Sequence, residues 1–99
     1  MASVRLLRRA EADLEEAVAW HEARSPRVAR RFEDAVTAAL ERLATMPEMY
    51  ALVDDQNRLC PVRKSQFLIV YRYEPDADEV VVIAVTHANR DPSAWQSGV

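Results

Sequence analysis

Two strand-forming runs in the second half of the chain constrain it most. Phe67 to Tyr73 (FLIVYRY) is β-branched and aromatic, and Val80 to Val85 (VVVIAV) is wholly aliphatic. The segment between them, Glu74-Pro75-Asp76-Ala77-Asp78-Glu79, is polar, and its proline has no N–H to give to a ladder. Two such runs around a short polar connection predict a β-hairpin with a loop longer than the two-residue minimum. The second run shows no alternation, so both of its faces are covered and it takes the centre of a small sheet. Thr86, His87, Asn89, Arg90 and Asp91 follow at once. Functional groups are often carried where a rigid element ends, so this polar cluster is the first candidate site.

A sheet needs a second layer, and two helical segments offer one. In the first, Ala10, Leu14, Ala17, Val18 and His21 share a face at helical spacing, with the acids on the other, from about Ala10 to Ala23. Ser25-Pro26 then signals a new start, because serine caps and proline at the first helical position gives up no needed hydrogen bond. Val28, Ala29, Phe32, Ala35, Val36, Ala39, Leu40 and Leu43 continue as one apolar stripe until Pro47 stops the helix. A joint this short forces the two helices back on each other as an antiparallel hairpin. Ser3 to Leu7 reads as a first strand. Arg58 to Lys64 reads as an edge strand, since it contains Pro61. Met49, Tyr50, Leu52 and Val53 are expected to pin the intervening loop, residues 47–57, to the core. The order is β-α-α-β-β-β, with a final turn of helix over 92–96. The expectation is one α+β domain over residues 1–99: a small, mainly antiparallel sheet packed against a helical hairpin.

At 99 residues the chain buries about 60–65% of its unfolded surface. The net charge of −3 gives no bulk attraction to nucleic acid. Cys60 is the sole cysteine, which rules out an intrachain disulfide and a thiolate metal cluster and reads as a small buried hydrophobe. With two histidines and no third ligand at metal spacing, no metal or other cofactor is expected. No stretch has the length of a signal-peptide core or a membrane span, so the cytoplasm is the default compartment and no membrane partner is expected.

His87 has the chemistry of a general acid or base, weighed against a local hydrogen bond that fixes the turn. His21, on the apolar side of its helix, reads as a packing residue with one satisfied nitrogen. Arg24, Arg27, Arg30 and Arg31 crowd the helix–helix turn as a solvated face or a surface for an acidic protein segment. Arg63, Lys64, Arg72 and Arg90 attach to the strands, where convergence at one end would bind phosphate. Trp20 is expected in the core, and Trp95 there or at a partner surface.

The succession ADLEEAVAWHE, SPRVARRF, MPEMYALVDD, RLCPVRKSQFLIVYRYEPD and VVVIAVTHANRDPSAW resembles the RelE/ParE toxin superfamily, in order and over nearly the whole chain. The resemblance implies a bacterial toxin of a type II toxin–antitoxin module, of the kind called plasmid stabilisation proteins. It also implies the fold just described. The implied partner is a cognate antitoxin that wraps the toxin as a hetero-oligomer, with Trp20, Arg24, Arg27, Arg31, Phe32, Tyr50 and Trp95 as candidate contacts. Aromatic anchors are expected to dominate that binding over the arginines.

RelE-like members cut messenger RNA on the ribosome, whereas ParE-like members inhibit DNA gyrase and are not nucleases. Where the RelE-like pattern carries charge, this chain has Leu59, Pro61, Leu68 and Ala88. Apolar side chains cannot donate to a scissile phosphate, so the resemblance points to a ParE-like gyrase inhibitor with no catalytic residue. The alternative is an mRNA endoribonuclease using His87, Arg63, Arg72 and Arg90. A non-toxic, antitoxin-binding relic of the same fold is the third reading.

Overall fold

A computed structural model of the protein describes residues 1–89. The expectations for Arg90, Trp95 and a final turn over 92–96 lie outside the described residues. The elements are β1 (Ser3–Leu6), α1 (Arg8–Glu22), α2 (Pro26–Thr45), β2 (Arg58–Pro61), β3 (Phe67–Glu74) and β4 (Glu79–His87). They form a four-stranded sheet in the order β1-β4-β3-β2. β4 is central, as its unbroken apolar run requires, and Val80 to Thr86 are all buried. The β2–β3 and β3–β4 pairs are antiparallel, and β1 runs parallel to β4. β2, with Pro61, lies at an edge, where a missing N–H costs no ladder bond.

α1 begins two residues earlier than its apolar periodicity indicates, with Leu7 as a cap that has no side-chain hydrogen bond. The physical reason lies in the sheet. Leu7 donates its N–H to the Val82 carbonyl (2.9 Å) and accepts the first helical bond from the Glu11 N–H (3.0 Å). β1 therefore passes into α1 without a turn. At the second joint Ser25 does cap: its Oγ accepts from the Arg27 N–H at 3.2 Å, and Pro26 follows at the first helical position. α2 buries Ala29, Phe32, Val36, Ala39 and Leu43 on the stripe its spacing predicts, and the last four share one core with the sheet.

One irregularity decides which side chains reach the site. Val70 pairs with Ala84 but Tyr71 pairs with Val82, so Ile83 is an extra residue in β4, a β-bulge. Before it, Val80 and Val82 share the helix-covered face with Tyr73 and Tyr71. After it, Val85 shares that face with Ile69, opposite the parity a regular strand would give. Beside the bulge the Val85 N–H donates to Asp13 Oδ2 at 3.1 Å, tying α1 to the central strand.

The loop between α2 and β2 departs from expectation. Tyr50 packs on the core, but Met49, Leu52 and Val53 are 47%, 52% and 45% exposed. Polar groups hold the loop instead. Arg58 Nη1 donates to the Tyr50 carbonyl at 2.5 Å and the Glu48 carbonyl at 3.4 Å. The Tyr71 hydroxyl donates to the Pro47 carbonyl at 2.9 Å. Asp54 Oδ1 accepts from the N–H groups of Gln56 and Asn57 (2.9 and 2.7 Å), forming a turn. With its backbone satisfied in this way, the loop needs no apolar pins.

Candidate functional site

α1 ends, α2 begins, β3 begins and β4 ends at one pole of the molecule, and five rings meet there. His21 stacks on Phe32 at 4.2 Å between centroids, with an interplanar angle of 15°. Phe67 stands edge-on to Phe32 (5.3 Å) and to Trp20 (6.1 Å). His87, directly across the ladder from Phe67, lies 5.4 Å from that ring. The bulge makes this meeting possible, because without it His87 would face away from the helices.

The two histidines are held differently. His21 is 6% exposed, and its Nδ1 donates to the Ala17 carbonyl at 2.7 Å, one turn back on α1. A carbonyl only accepts, so the proton is on Nδ1. One nitrogen is thus satisfied and the ring is packed. His87 is half-buried, and its Nδ1 accepts from the Asn89 N–H at 3.2 Å, closing the turn that follows β4. Among the described residues no three histidine, cysteine, aspartate or glutamate side chains group as metal ligands would.

Trp20 corrects an expectation. It is 45% exposed rather than core, because it leans on the flank of the ring cluster at the end of α1. The Arg24 guanidinium covers its face at 3.5 Å from the ring centroid, a cation–π contact at the surface.

Two clefts open at this pole. The first, about 320 Å³, runs between α1 and the end of β4 and is lined by Asp13, Glu16, Trp20, Phe67, Thr86 and His87, among others. The Thr86 hydroxyl is buried without a hydrogen-bond partner. The second, about 410 Å³, lies between α2 and the β2–β3 turn, with Phe32 and Ala35 on its floor and Arg31, Arg63 and Lys64 around it. A third cleft, about 460 Å³, sits at the opposite pole beside the loop before β2, where Arg58 and Arg72 meet Glu48, Asp55 and Glu74.

A sequence profile for the ParE toxin of the type II toxin–antitoxin system, parDE, matches residues 4–92. The chain belongs to the ParE toxin family. It is a type II toxin–antitoxin toxin of the ParE/RelE group, with the α+β architecture of that group. No curated protein sequence matches the chain. Solved structures do. The chromosomal ParDE system of P. aeruginosa shares 16% identity and a TM-score of 0.76, covering 90% of this chain and 98% of that one. The isolated E. coli RelE toxin shares 17% and 0.67, covering 99% and 96%. The M. tuberculosis RelBE2 complex shares 22% and 0.62, covering 89% and 93%. At these identities the likeness is one of fold.

In this ParE-family chain Arg63 and Arg72, among the described strand-borne cations, do not meet His87. Arg63 lines the second cleft, across the pole from the first. Arg72 pairs with Val81, whereas Phe67 pairs with His87. Five residues separate Phe67 and Arg72 along β3, about 17 Å at the usual rise. The Arg72 Nε is also bonded to Glu74 Oε1 at 2.6 Å. Of the candidate antitoxin contacts, Trp20, Arg24, Arg31 and Phe32 gather at the ring pole, with Arg27 exposed in the first turn of α2. Tyr50 lies at the far pole, beside the loop. Sequence reasoning passed over Asp13, which looked like one more exposed acid on α1, and Phe67, which looked like ordinary strand. No local signal marks either one, since their partners are distant in the chain.

Proposed function

We propose that this toxin inhibits a type II topoisomerase, gyrase, and that a cognate antitoxin holds it silent as a hetero-oligomer. The charge of the His87 cleft carries the reading. Asp13 and Glu16 line it, and no arginine or lysine among the described residues does. Phosphodiester cleavage needs donors and cations aimed at the charge that develops on phosphate. The imidazole instead has Glu16 beside it and Asp13, which is spent on Arg9 (4.0 Å) and the Val85 N–H (3.1 Å), and neither carboxylate attracts phosphate. Arg72 is engaged by Glu74 at the other pole, and Leu59, Pro61, Leu68 and Ala88 supply no charge in its place. His87 is then a turn residue, with its hydrogen bond to Asn89 as its work.

An antitoxin partner is supported by the solved relatives, of which the P. aeruginosa ParDE system and M. tuberculosis RelBE2 are toxin–antitoxin systems. The exposed Trp20 and the arginines of the same pole offer an aromatic anchor within a basic rim, the composition of an interface hot spot. Action on gyrase places the protein in the cytoplasm, and such a pair would stabilise a plasmid that carried it.

Induction of the chain in bacteria tests the mechanism. DNA-damage signalling and filamentation with messenger RNA intact, together with loss of gyrase supercoiling in vitro, are the expected outcome. Prompt cleavage of translated messages by primer extension, with supercoiling unaffected, would overturn it in favour of the nuclease.

A further inference from the structure

The second cleft has a composition that the toxic mechanism does not use. Its floor is apolar: Val28, Phe32 and Ala35 of α2, with the His21 ring beside them. Its rim holds three cations, Arg31, Arg63 and Lys64, whose side chains have no hydrogen bond or ion pair among the described residues. Asp34 shares the cleft but pairs with none of them. Unpaired cations over an apolar floor are complementary to an anion attached to an aliphatic body.

The two cations from the sheet are held in place. The turn that carries them is closed by Val62 N–H to the Phe67 carbonyl (3.0 Å) and Ser65 N–H to the Val62 carbonyl (3.2 Å). The Ser65 hydroxyl adds two more bonds, donating to the Val62 carbonyl (3.0 Å) and accepting from the Phe67 N–H (3.1 Å). Lys64 sits at φ 58°, the left-handed region that a lysine adopts only at a cost. A turn tied this tightly fixes the backbone that carries Arg63 and Lys64 beside the cleft, so that binding has only their side chains left to order.

We propose that this cleft takes an acidic–aliphatic peptide segment, with an aliphatic side chain on the Phe32–Ala35 floor and a carboxylate between Arg31, Arg63 and Lys64. The proposal rests on the reading that a protein antitoxin binds this toxin, and it assigns one anchoring point for that partner. A peptide fits better than a nucleic acid for three reasons. The volume of about 410 Å³ suits one or two side chains rather than a run of nucleotides. Asp34 on the rim and Asp13 and Glu16 in the neighbouring cleft oppose a polyanion that continued past the site. The chain as a whole carries a net charge of −3. Arginine pairs with carboxylate bidentately, so Arg31 and Arg63 supply direction and Lys64 supplies charge.

The experiment is an amide chemical-shift titration of the full chain with a short capped glutamate–leucine peptide. The parallel probes are its glutamine–leucine analogue, inorganic phosphate and a short oligoribonucleotide. Shifts centred on Phe32, Ala35, Lys64 and Ser65 are expected, with the glutamine analogue about tenfold or more weaker, as loss of charge-assisted hydrogen bonds implies. The variant Arg63→Gln with Lys64→Asn should weaken the acidic peptide to the same degree, asparagine being chosen because it tolerates positive φ. Ala35→Glu should abolish binding by filling the floor with a carboxylate, and Arg8→Gln, exposed at the start of α1 and outside the cleft, should leave binding unchanged.

Equal binding of the glutamine analogue, or shifts centred elsewhere, would overturn the proposal. So would tighter binding of the oligoribonucleotide, or of phosphate alone, at the same amides. The induction experiment fails separately. A chain that cleaves messages yet takes the peptide here loses the gyrase reading and keeps the cleft, and a gyrase inhibitor silent to the peptide does the reverse.

Discussion

The two poles of this molecule are built by opposite means. At the ring pole, Trp20, His21, Phe32, Phe67 and His87 pack face to edge, and the charges stand outside the cluster, largely unpaired. At the loop pole, Arg58, Asp54 and Tyr71 satisfy the backbone with hydrogen bonds while Met49, Leu52 and Val53 stand in solvent. Apolar burial holds the first pole together and, among the described residues, leaves Arg31, Arg63 and Lys64 without a bonded partner. Polar satisfaction holds the second pole together and uses its cations up: Arg58 on carbonyls and Glu48, Arg72 on Glu74. The same residue type, arginine, is thus a free interaction group at one end and a structural clamp at the other. The difference lies in whether a carboxylate or a loop carbonyl is within reach.

The largest effect should come from Phe32→Ala at the ring pole. Phe32 is 3% exposed and stacked on His21, so truncation should cost about 3–5 kcal/mol in chemical denaturation. A loss under about 1 kcal/mol would show that the rings decorate this pole rather than hold it. Arg58→Met should come next, at about 1–3 kcal/mol, because it strands carbonyls that the guanidinium now satisfies. Its distinctive signature is local: proteolytic nicking within residues 48–56 should accelerate more than global unfolding does. Uniform loosening would mean that the loop is held by something other than this clamp. The Arg58–Glu48 ion pair adds little, since the Glu48 side chain is 70% exposed.

Tyr71→Phe sharpens the comparison through pH. The mutant loses one hydrogen bond to the Pro47 carbonyl, about 1 kcal/mol. Burial pushes the phenol up from 10.0 to about 12, with the Arg58 guanidinium pulling against it. A group that holds its proton more tightly folded than unfolded contributes stability that is complete below the unfolded value and lost as pH rises through the folded one. The wild type should therefore lose stability between about pH 10 and 12, and Tyr71→Phe should flatten that stretch of the denaturation profile. A smaller slope should remain from Tyr73, whose phenol is raised by its hydrogen bond to Asp78. An unchanged slope in the mutant would place the titrating group elsewhere. The smallest effect belongs to Leu52→Ser, within about 0.5 kcal/mol in thermal melts, since the side chain is 52% exposed. A cost above 2 kcal/mol would restore the apolar pins that the loop was expected to use.

By itself the sequence determined the elements whose information is local. The start of α2 at Ser25-Pro26, its stripe from Ala29 to Leu43, the edge position of the Pro61 strand and the central place of Val80 to Val85 all follow from neighbouring residues. Period, cap and proline act within a turn or two of chain, so they can be read in order. The tertiary structure alone decided the faces. In a run as uniformly apolar as VVVIAV every residue suits either side of the sheet, so nothing marks Ile83 as the bulge that turns His87 toward Phe67. Asp13 reaches the Val85 N–H across 72 positions of sequence, and Trp20 lies at the surface because the joining of two helices and two strand ends leaves it on the flank. Whether an arginine is free or bound is decided in the same way. Only the packing of α2 beside the β2–β3 turn gives Arg63 an open cleft, and only the fold of the loop brings the Glu48 and Tyr50 carbonyls to Arg58.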